Sequence, residues 1–103
     1  MIAIITTLHK KEDAISIGKG LLQKRLIACY NLWPIESAYW WKGEILDEAE
    51  TVMLLKTTKE NYEKVSGYIK EKSGYEVPDI FCLNPAQINP LFNKWISEEA
   101  GGA

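Results

Sequence analysis

The sequence predicts an α+β fold in which two helices pack on one face of an antiparallel sheet. One observation is the order of patterns along the chain: an apolar strand, a helix, a long hairpin, a second helix, a short strand and a short C-terminal helix. A second observation is the hairpin itself, whose arms each run about a dozen residues. With right-handed crossovers, this order gives a ferredoxin-like split βαβ sandwich.

The first strand and the first helix are predicted from an abrupt change in the spacing of the apolar residues. Residues 2–7 are apolar and largely β-branched, as in a central strand that is buried on both faces. Apolar residues then recur at helical spacing through residues 14–22, and Glu12 and Asp13 suit the first turn of a helix. Gly18 lies on the apolar side of this helix, so we expect it to allow close approach to the sheet.

The hairpin arms are residues 28–41 and 44–57, and their aromatic turn contains Tyr39, Trp40 and Trp41. Each arm can span about 40 Å at about 3.3 Å per residue. Neighbouring strands of ordinary length cover only half of such a hairpin. Because a long aromatic edge left in water promotes aggregation, we expect these three aromatic residues to pack between copies of the chain.

An alternative interpretation shortens the hairpin arms. Pro34 and the acidic pair Asp47 and Glu48 would break the arms into ordinary strands, and the tryptophans would then cap a local core. Proline and acidic pairs also occur at β-bulges, which bend a long strand without ending it.

A second helix is predicted over residues 58–73. Thr57 and Glu60 have the spacing of a capping box, an apolar stripe follows, and Gly74 suits a left-handed helix stop. Residues 80–83 are predicted to form a short strand.

The C-terminal helix is predicted from a capping pattern. Asn89 and Pro90 suit the N-cap and the first turn of a helix. We expect residues 98–103 to fray.

The predicted topology leaves one face of the sheet without a helix. RNA-binding proteins of this topology stack bases on aromatic residues of the third strand. Residues 51–56 contain no aromatic residue, so we expect another subunit, rather than RNA, to cover this face.

Composition predicts one globular domain over residues 1–103, with 47% apolar residues and a net charge of −2. Arg25 is the single arginine, and with this net charge the sequence argues against nucleic acid as a main partner. The N-terminal apolar run is too short for a signal peptide or a membrane span, and we expect a cytoplasmic protein with no membrane partner. Cys29 and Cys82 fit free thiols.

No catalytic motif supports an enzyme. The sequence lacks a nucleophile elbow, a zinc-protease motif and a glycine-rich phosphate loop. Arg25 and Asn31 are the only nominal pair for acylphosphatase chemistry, and Arg25 falls at a helix end. We therefore predict a protein without catalytic activity.

Five segments together resemble the CutA divalent-cation tolerance proteins: residues 26–31, 39–45, 54–57, 75–80 and 94–96. The aromatic turn and the Tyr-Glu-Val-Pro-Asp-Ile run of 75–80 are the most specific of them. The resemblance implies a cytosolic homotrimer built through the long hairpins and linked to tolerance of copper and other divalent metals. It also implies a likeness in shape to PII-like signalling trimers, and no settled enzymatic activity.

Metal ligands are sought among cysteine, histidine and carboxylate side chains. In the matching segments, Cys29, Glu76 and Asp79 are candidates for a mixed sulfur and oxygen site between subunits, for copper or another divalent cation that folding does not require. Alternatively, Cys29 is a small core residue, and Glu76 pairs with Lys56 or caps backbone amides.

Two departures from the family pattern weaken a copper site. Many members have a histidine where Ser73 stands, and some have a cysteine in the first strand where Thr6 stands. The single histidine, His9, follows the first strand and is interpreted as a solvent-facing or helix-capping residue.

The intersubunit clefts also suit a small organic ligand. Asn31, Lys56 and Tyr75 are the candidate ligand-binding residues there. Two further hypotheses therefore remain open: a PII-like sensor that binds a metabolite, and a trimeric scaffold that presents loops to another protein.

Overall fold

The computed structural model describes residues 1–101, and Gly102 and Ala103 lie outside the described residues. Within that range the chain has the predicted α+β fold. Its elements are β1 Ile2–Leu8, α1 Lys11–Gln23, β2 Cys29–Trp41, β3 Glu44–Thr57, α2 Tyr62–Lys72, β4 Ile80–Leu83 and α3 Pro90–Glu99, with a 3-10 turn at Lys59–Asn61. The strands form one antiparallel sheet in the order β2-β3-β1-β4, which is that of a ferredoxin-like sandwich.

The two hairpin arms are continuous strands. Their pairing runs from Cys29 opposite Lys56 to Trp41 opposite Glu44, one residue against one residue throughout. The alternative of broken arms is therefore wrong, and this ladder contains no bulge. Pro34 fits because β2 is an edge strand of the protomer, where a missing N–H removes no ladder hydrogen bond.

The turn of the hairpin has the geometry that its two residues favour. Lys42 and Gly43 both have positive φ angles, of 49° and 84°. A two-residue turn of this kind matches the right-handed twist of the flanking strands, and glycine adopts it without strain.

The other strands of the sheet flank only half of the hairpin, as predicted. β1 pairs with β3 from Thr51 to Thr57, and residues 44–50 of β3 pair with β2 alone. We call residues 35–50 the hairpin tip, and the paired segments 29–34 and 51–57 the hairpin base. The tip is thus a two-stranded ribbon that extends beyond the other strands.

The core lies between the sheet and the helices α1 and α2. It contains alternate residues of β1 and β3 and the apolar sides of both helices: Ile2, Ile4, Leu8, Ala14, Ile17, Leu21, Met53, Leu55, Val65 and Ile69. Gly18 faces this sheet, and a Cβ atom there would lie 2.6 Å from the ring of Tyr30 and 2.8 Å from Met53. The predicted close approach at Gly18 is confirmed.

The predicted ends of α2 and α3 had mixed outcomes. The Asn89 side chain accepts hydrogen bonds from the backbone N–H groups of Leu91 (2.9 Å) and Phe92 (3.1 Å), so the predicted cap is confirmed. Gly74, after α2, has the expected positive φ of 78°.

The capping box at Thr57 and Glu60 is wrong. Thr57 is the last residue of β3, and its hydroxyl donates a hydrogen bond to the Leu26 carbonyl at 2.6 Å. Fraying from residue 98 is also wrong for Glu98 and Glu99, which belong to α3.

The face of the sheet turned away from α1 and α2 is called the open face. At the end near the hairpin base, α3 lies beside it, and the Lys56 ammonium is 5.8 Å from the ring centre of Phe92. Trp33, Phe81 and Leu83 also lie on the open face and are exposed in the protomer.

Candidate functional site

A cavity of about 830 Å³ lies where the hairpin tip meets the segment between α2 and β4. One wall is formed by the tip, and the other by residues 74–79. The end of β1 contributes Thr7, and His9 follows it. Three distant parts of the chain therefore form this site, and its volume is in the range of small-ligand pockets.

The lining of this cavity is strongly acidic. It contains five carboxylate side chains and, among the described residues that line it, no lysine or arginine; the carboxylates are Glu36, Glu48, Glu50, Glu76 and Asp79. Acidic groups in a concave surface concentrate a negative potential. The cavity is therefore suited to a cation.

Three ligand-type side chains converge within the cavity. Glu48 and Glu50 are two residues apart on β3, so their side chains project from the same face of the strand. One ligand atom from each of His9, Glu48 and Glu50 lies within 4.8 Å of the other two. We call these residues the histidine cluster. Imidazole nitrogen and carboxylate oxygen are common ligands of divalent transition metals.

Two tyrosines hold the carboxylates of the cluster. The Tyr39 hydroxyl donates a hydrogen bond to Glu48 Oε2 at 2.8 Å, and the Tyr75 hydroxyl donates one to Glu50 Oε2. Only 8% of Glu50 is exposed. The ring of Tyr75 also stacks on His9, with the ring centres 3.9 Å apart and the planes inclined by 22°. Tyr75 therefore orients two members of the cluster.

The same contacts raise the pKa of both phenols. The hydrogen bond to Glu48 raises the pKa of Tyr39 to about 12, and desolvation and the charges of Glu48 and Glu50 act in the same direction. Burial raises the pKa of Tyr75, and the hydrogen bond to Glu50 adds to this effect. Both hydroxyls are protonated donors at neutral pH, and the raised pKa extends this state to more alkaline pH.

Asp79 fastens the second wall to the sheet. The backbone N–H of Thr7 donates to Asp79 Oδ1 at 3.0 Å, and the Thr7 hydroxyl donates to Asp79 Oδ2 at 2.7 Å. Glu76 is exposed and lies 3.8 Å from the Lys42 ammonium at the hairpin turn. The contact joins the segment 74–79 to the tip, but an exposed ion pair of this length adds little stability.

Most of the residues predicted for a site or interface come together here. Tyr75, Glu76 and Asp79 line the cavity, together with all three aromatic residues of the predicted interface. Trp40 is 72% exposed in the protomer, whereas Tyr39 and Trp41 are half-buried.

Three predicted site residues lie elsewhere in the protomer. Cys29 is opposite Lys56 at the hairpin base, and Asn31 is opposite Leu54 two residues further along β2. Cys29 is twelve residues from Trp41 on the same strand, or about 40 Å. Contact of Cys29 with Glu76 or Asp79 across a subunit boundary stays a prediction.

Ser73 and Thr6, the two residues expected from the resemblance to weaken a copper site, lie in the protein interior. Ser73 is buried at the end of α2, and its hydroxyl oxygen accepts a hydrogen bond from the Tyr75 N–H at 3.3 Å. Thr6 is buried on the side of β1 that faces the helices. His9 is exposed and does not cap α1, whose N-cap residue is Lys10.

The histidine cluster was not predicted from the sequence. The alternation of β3 indicated that Glu48 and Glu50 share a face, but no sequence pattern linked them to His9. Their proximity depends on the path of residues 74–79, because Tyr75 contacts both Glu50 and His9.

Comparison with known proteins gives one consistent result. The family model described as "CutA1 divalent ion tolerance protein" matches residues 2–99. Divalent-cation tolerance protein CutA of Thermotoga maritima is 39% identical over 98 residues, which cover 95% of this chain and 97% of that protein. The CutA protein of Pyrococcus horikoshii is 38% identical, with 96% and 97% covered.

Solved structures give the same result. The structure described as the periplasmic divalent cation tolerance protein CutA of Archaeoglobus fulgidus superposes with a TM-score of 0.94 at 35% identity, covering 97% of this chain and 99% of that one. CutA1 of Pyrococcus horikoshii gives a TM-score of 0.91 at 37% identity, with 96% and 97% covered. Within residues 1–101, no helix has the length and apolar character needed to cross a membrane.

Proposed function

Because the chain belongs to the CutA1 divalent ion tolerance protein family, we propose that it acts in divalent-cation tolerance by binding the cations directly, without catalysis. The observation that supports direct binding is the lining of the cavity. Five residues with carboxylate side chains line one concave surface, and its described lining contains no lysine or arginine. Such a surface attracts a divalent cation through charge alone, before any coordination bond forms.

Copper(II) is the cation that we propose. For a site built from nitrogen and oxygen ligands, affinity among divalent first-row metals is highest for copper(II). The two free cysteines, Cys29 and Cys82, are outside the cavity lining. Binding without a thiolate would be of modest affinity, in keeping with a tolerance role rather than with a permanent metal centre.

We propose further that the protein is a homotrimer whose hairpin tips pack against neighbouring copies. The support is the edge of β3 that has no partner strand at residues 44–50 of the described chain, and the exposure of Trp40 (72%) and Ile45 (59%) in the protomer. A strand with an unpaired edge and exposed apolar residues is a ready partner for another strand. Light scattering after size exclusion should give three times the chain mass of 11.7 kDa.

A cytoplasmic location, without nucleic acid or membrane as a partner, completes the proposal. It is supported by two free thiols, which are stable in a reducing compartment. The Archaeoglobus fulgidus relative is described as periplasmic, so fractionation of the native host is the appropriate measurement.

Calorimetric titration tests direct binding. Copper(II) is added to chelator-stripped protein from which any affinity tag has been removed, with zinc(II) as a second transition metal and magnesium as a control. We expect saturable copper binding at about one ion per chain, weaker zinc binding and no magnesium binding. Absence of saturable copper and zinc binding would contradict direct binding, and a role in tolerance would then have to be indirect.

A further inference from the structure

We propose that each protomer carries one nitrogen and oxygen site for a divalent transition metal, formed by His9, Glu48 and Glu50. The inference rests on the proposed function, for which it names the ligands and the class of ion. It differs from the site that the sequence suggested, because it contains neither a thiol nor residues 76 and 79.

The spacing of the three ligand atoms is close to that of a metal site. Ligands at about 2.0 to 2.2 Å from a common metal lie about 3 to 3.4 Å from one another when they are adjacent. In the protomer the three atoms are all within 4.8 Å of each other. Reaching coordination distance requires each atom to move by about 1 Å, a displacement that side-chain rotation can supply.

The hydrogen bonds around the cluster leave coordinating atoms available. Each tyrosine bonds one carboxylate oxygen, Oε2, so that Oε1 of both Glu48 and Glu50 remains for a metal. Outer hydrogen bonds of this kind orient carboxylate ligands in known metal sites. The stacked ring of Tyr75 restricts His9 in the same way, although His9 itself is exposed.

The composition of the cluster selects the class of ion. Calcium and magnesium take oxygen ligands almost exclusively, whereas an imidazole favours copper, zinc and nickel. Two carboxylates so close together repel each other, and a divalent cation between them removes that repulsion. With three protein ligands, the remaining positions of the ion are left to water.

The other candidate ligands are occupied or distant. Both carboxylate oxygens of Asp79 accept hydrogen bonds from Thr7, and Glu76 points to Lys42 at the turn. Cys29 is at the hairpin base, at the far end of the strand that carries Tyr39. The histidine cluster is consequently the group that can coordinate without giving up an existing partner.

The single histidine makes the test direct. In tag-free protein, any imidazole nitrogen bound to copper(II) belongs to His9, since the sequence contains no other histidine. Pulsed electron paramagnetic resonance of the copper(II) complex detects the remote imidazole nitrogen, which a backbone or terminal amine cannot produce. We expect the modulation of one imidazole per copper ion.

Matched variants then identify the ligands. His9→Phe keeps an aromatic ring against Tyr75 but removes the nitrogen, and Glu48→Gln and Glu50→Gln keep a hydrogen-bond acceptor for the tyrosines. We expect each to weaken copper binding by more than about tenfold, and His9→Phe to abolish the imidazole signal. Asp47→Asn removes an exposed carboxylate of the same strand that is outside the cavity lining, and it should leave the dissociation constant within about twofold.

The results of these experiments distinguish an error in the assigned ligands from an error in the proposed direct binding of metal. If the wild type binds copper without an imidazole signal, or if Cys29→Ser removes binding while His9→Phe does not, the assigned site is wrong and direct binding stands. If the wild type binds neither copper nor zinc, both are wrong. Circular dichroism of each variant distinguishes loss of the site from loss of the fold.

Discussion

The base and the tip of the hairpin belong to the same two strands, yet they differ in the number of strands that flank β3 and in the burial of their side chains. At the base, β3 is paired on both edges, and Met53 and Leu55 are fully buried under the helices. At the tip, β3 is paired with β2 alone, and Trp40 and Ile45 are mostly exposed. The ladder between β2 and β3 is continuous through both regions, so the difference in burial follows the second neighbour, β1, and the helices that cover the base.

The difference indicates how the chain divides stability and function. The base is completed by neighbours from its own chain and contributes to the apolar core. The tip presents carboxylates and aromatic side chains at a surface that the protomer does not cover. The hairpin thus contributes to the core at one end and presents an exposed surface with a free strand edge at the other.

The largest effect on the free energy of unfolding should come from a substitution in the base. Leu55→Ala removes a fully buried side chain from the core, and we expect it to lower the free energy of unfolding by about 2 to 5 kcal/mol. Leu91→Ala is the matched control, because Leu91 is 79% exposed and its truncation should change that free energy by less than about 0.5 kcal/mol. Denaturant unfolding measures both. Equal effects would mean that the base is not the stability-determining region.

The second largest effect should come from a substitution in the tip, and it should weaken the association of the protomers. Trp40→Ala removes the most exposed aromatic side chain of the turn, and we expect it to weaken the proposed trimer by about 2 kcal/mol or more per contact, as for central tryptophans of interfaces. Sedimentation over a range of concentrations measures dissociation, with Leu91→Ala again as the control. A trimer that persists unchanged at the lowest concentration would contradict the role of the tip in assembly.

A smaller effect concerns how α1 contacts the base. Gly18→Ala places a Cβ atom 2.6 Å from the Tyr30 ring and 2.8 Å from Met53, so we expect a loss of about 1 to 3 kcal/mol in unfolding free energy. Gly67→Ala is the matched control in α2. Among the described residues, no atom outside its chain neighbours and the adjacent helix backbone lies within 4 Å of its new Cβ, and the substitution should stabilise the protein by about 0.4 to 1 kcal/mol. Thermal unfolding of the two variants should therefore shift in opposite directions.

The two arms of the hairpin were predictable from the sequence because their alternation and their turn are local patterns. The alternation of residues 51–57 and the residues of the turn at 42 and 43 placed both arms to within one residue. The capping box failed because Thr57, which has the right spacing for a cap, ends β3 and bonds to Leu26 instead. A short-range pattern could not reveal that tertiary partner.

The candidate site was predictable only in part, for a related reason. Tyr75, Glu76 and Asp79 were recognised because they form one contiguous segment. His9, Glu48 and Glu50 come from two separated parts of the chain, and their proximity depends on Tyr75, which contacts both parts. Such a cluster is a product of the folded loop and leaves no periodic signal in the sequence.

The smallest predicted effect is on the titration of Tyr39. It shows whether the hydrogen bond between Tyr39 and Glu48 orders the polar side of the tip. The pKa of Tyr39 is raised from its ordinary value of 10.0 to about 12, first by its hydrogen bond to Glu48. Between these pH values the folded state holds a proton that the unfolded state releases. The contribution to stability is therefore fully present below pH 10 and is lost as the pH rises through about 12.

Ultraviolet absorbance of the phenolate measures this titration. Tyr39→Phe should remove a late-titrating phenol, and Glu48→Gln should bring its pKa back toward 10, because the charged acceptor is lost while the side-chain shape is kept. If Glu48→Gln leaves the titration unchanged, the hydrogen bond does not order the tip in solution. The carboxylate of Glu48 would then be free to move, and the tip would obtain its order only from neighbouring copies of the chain.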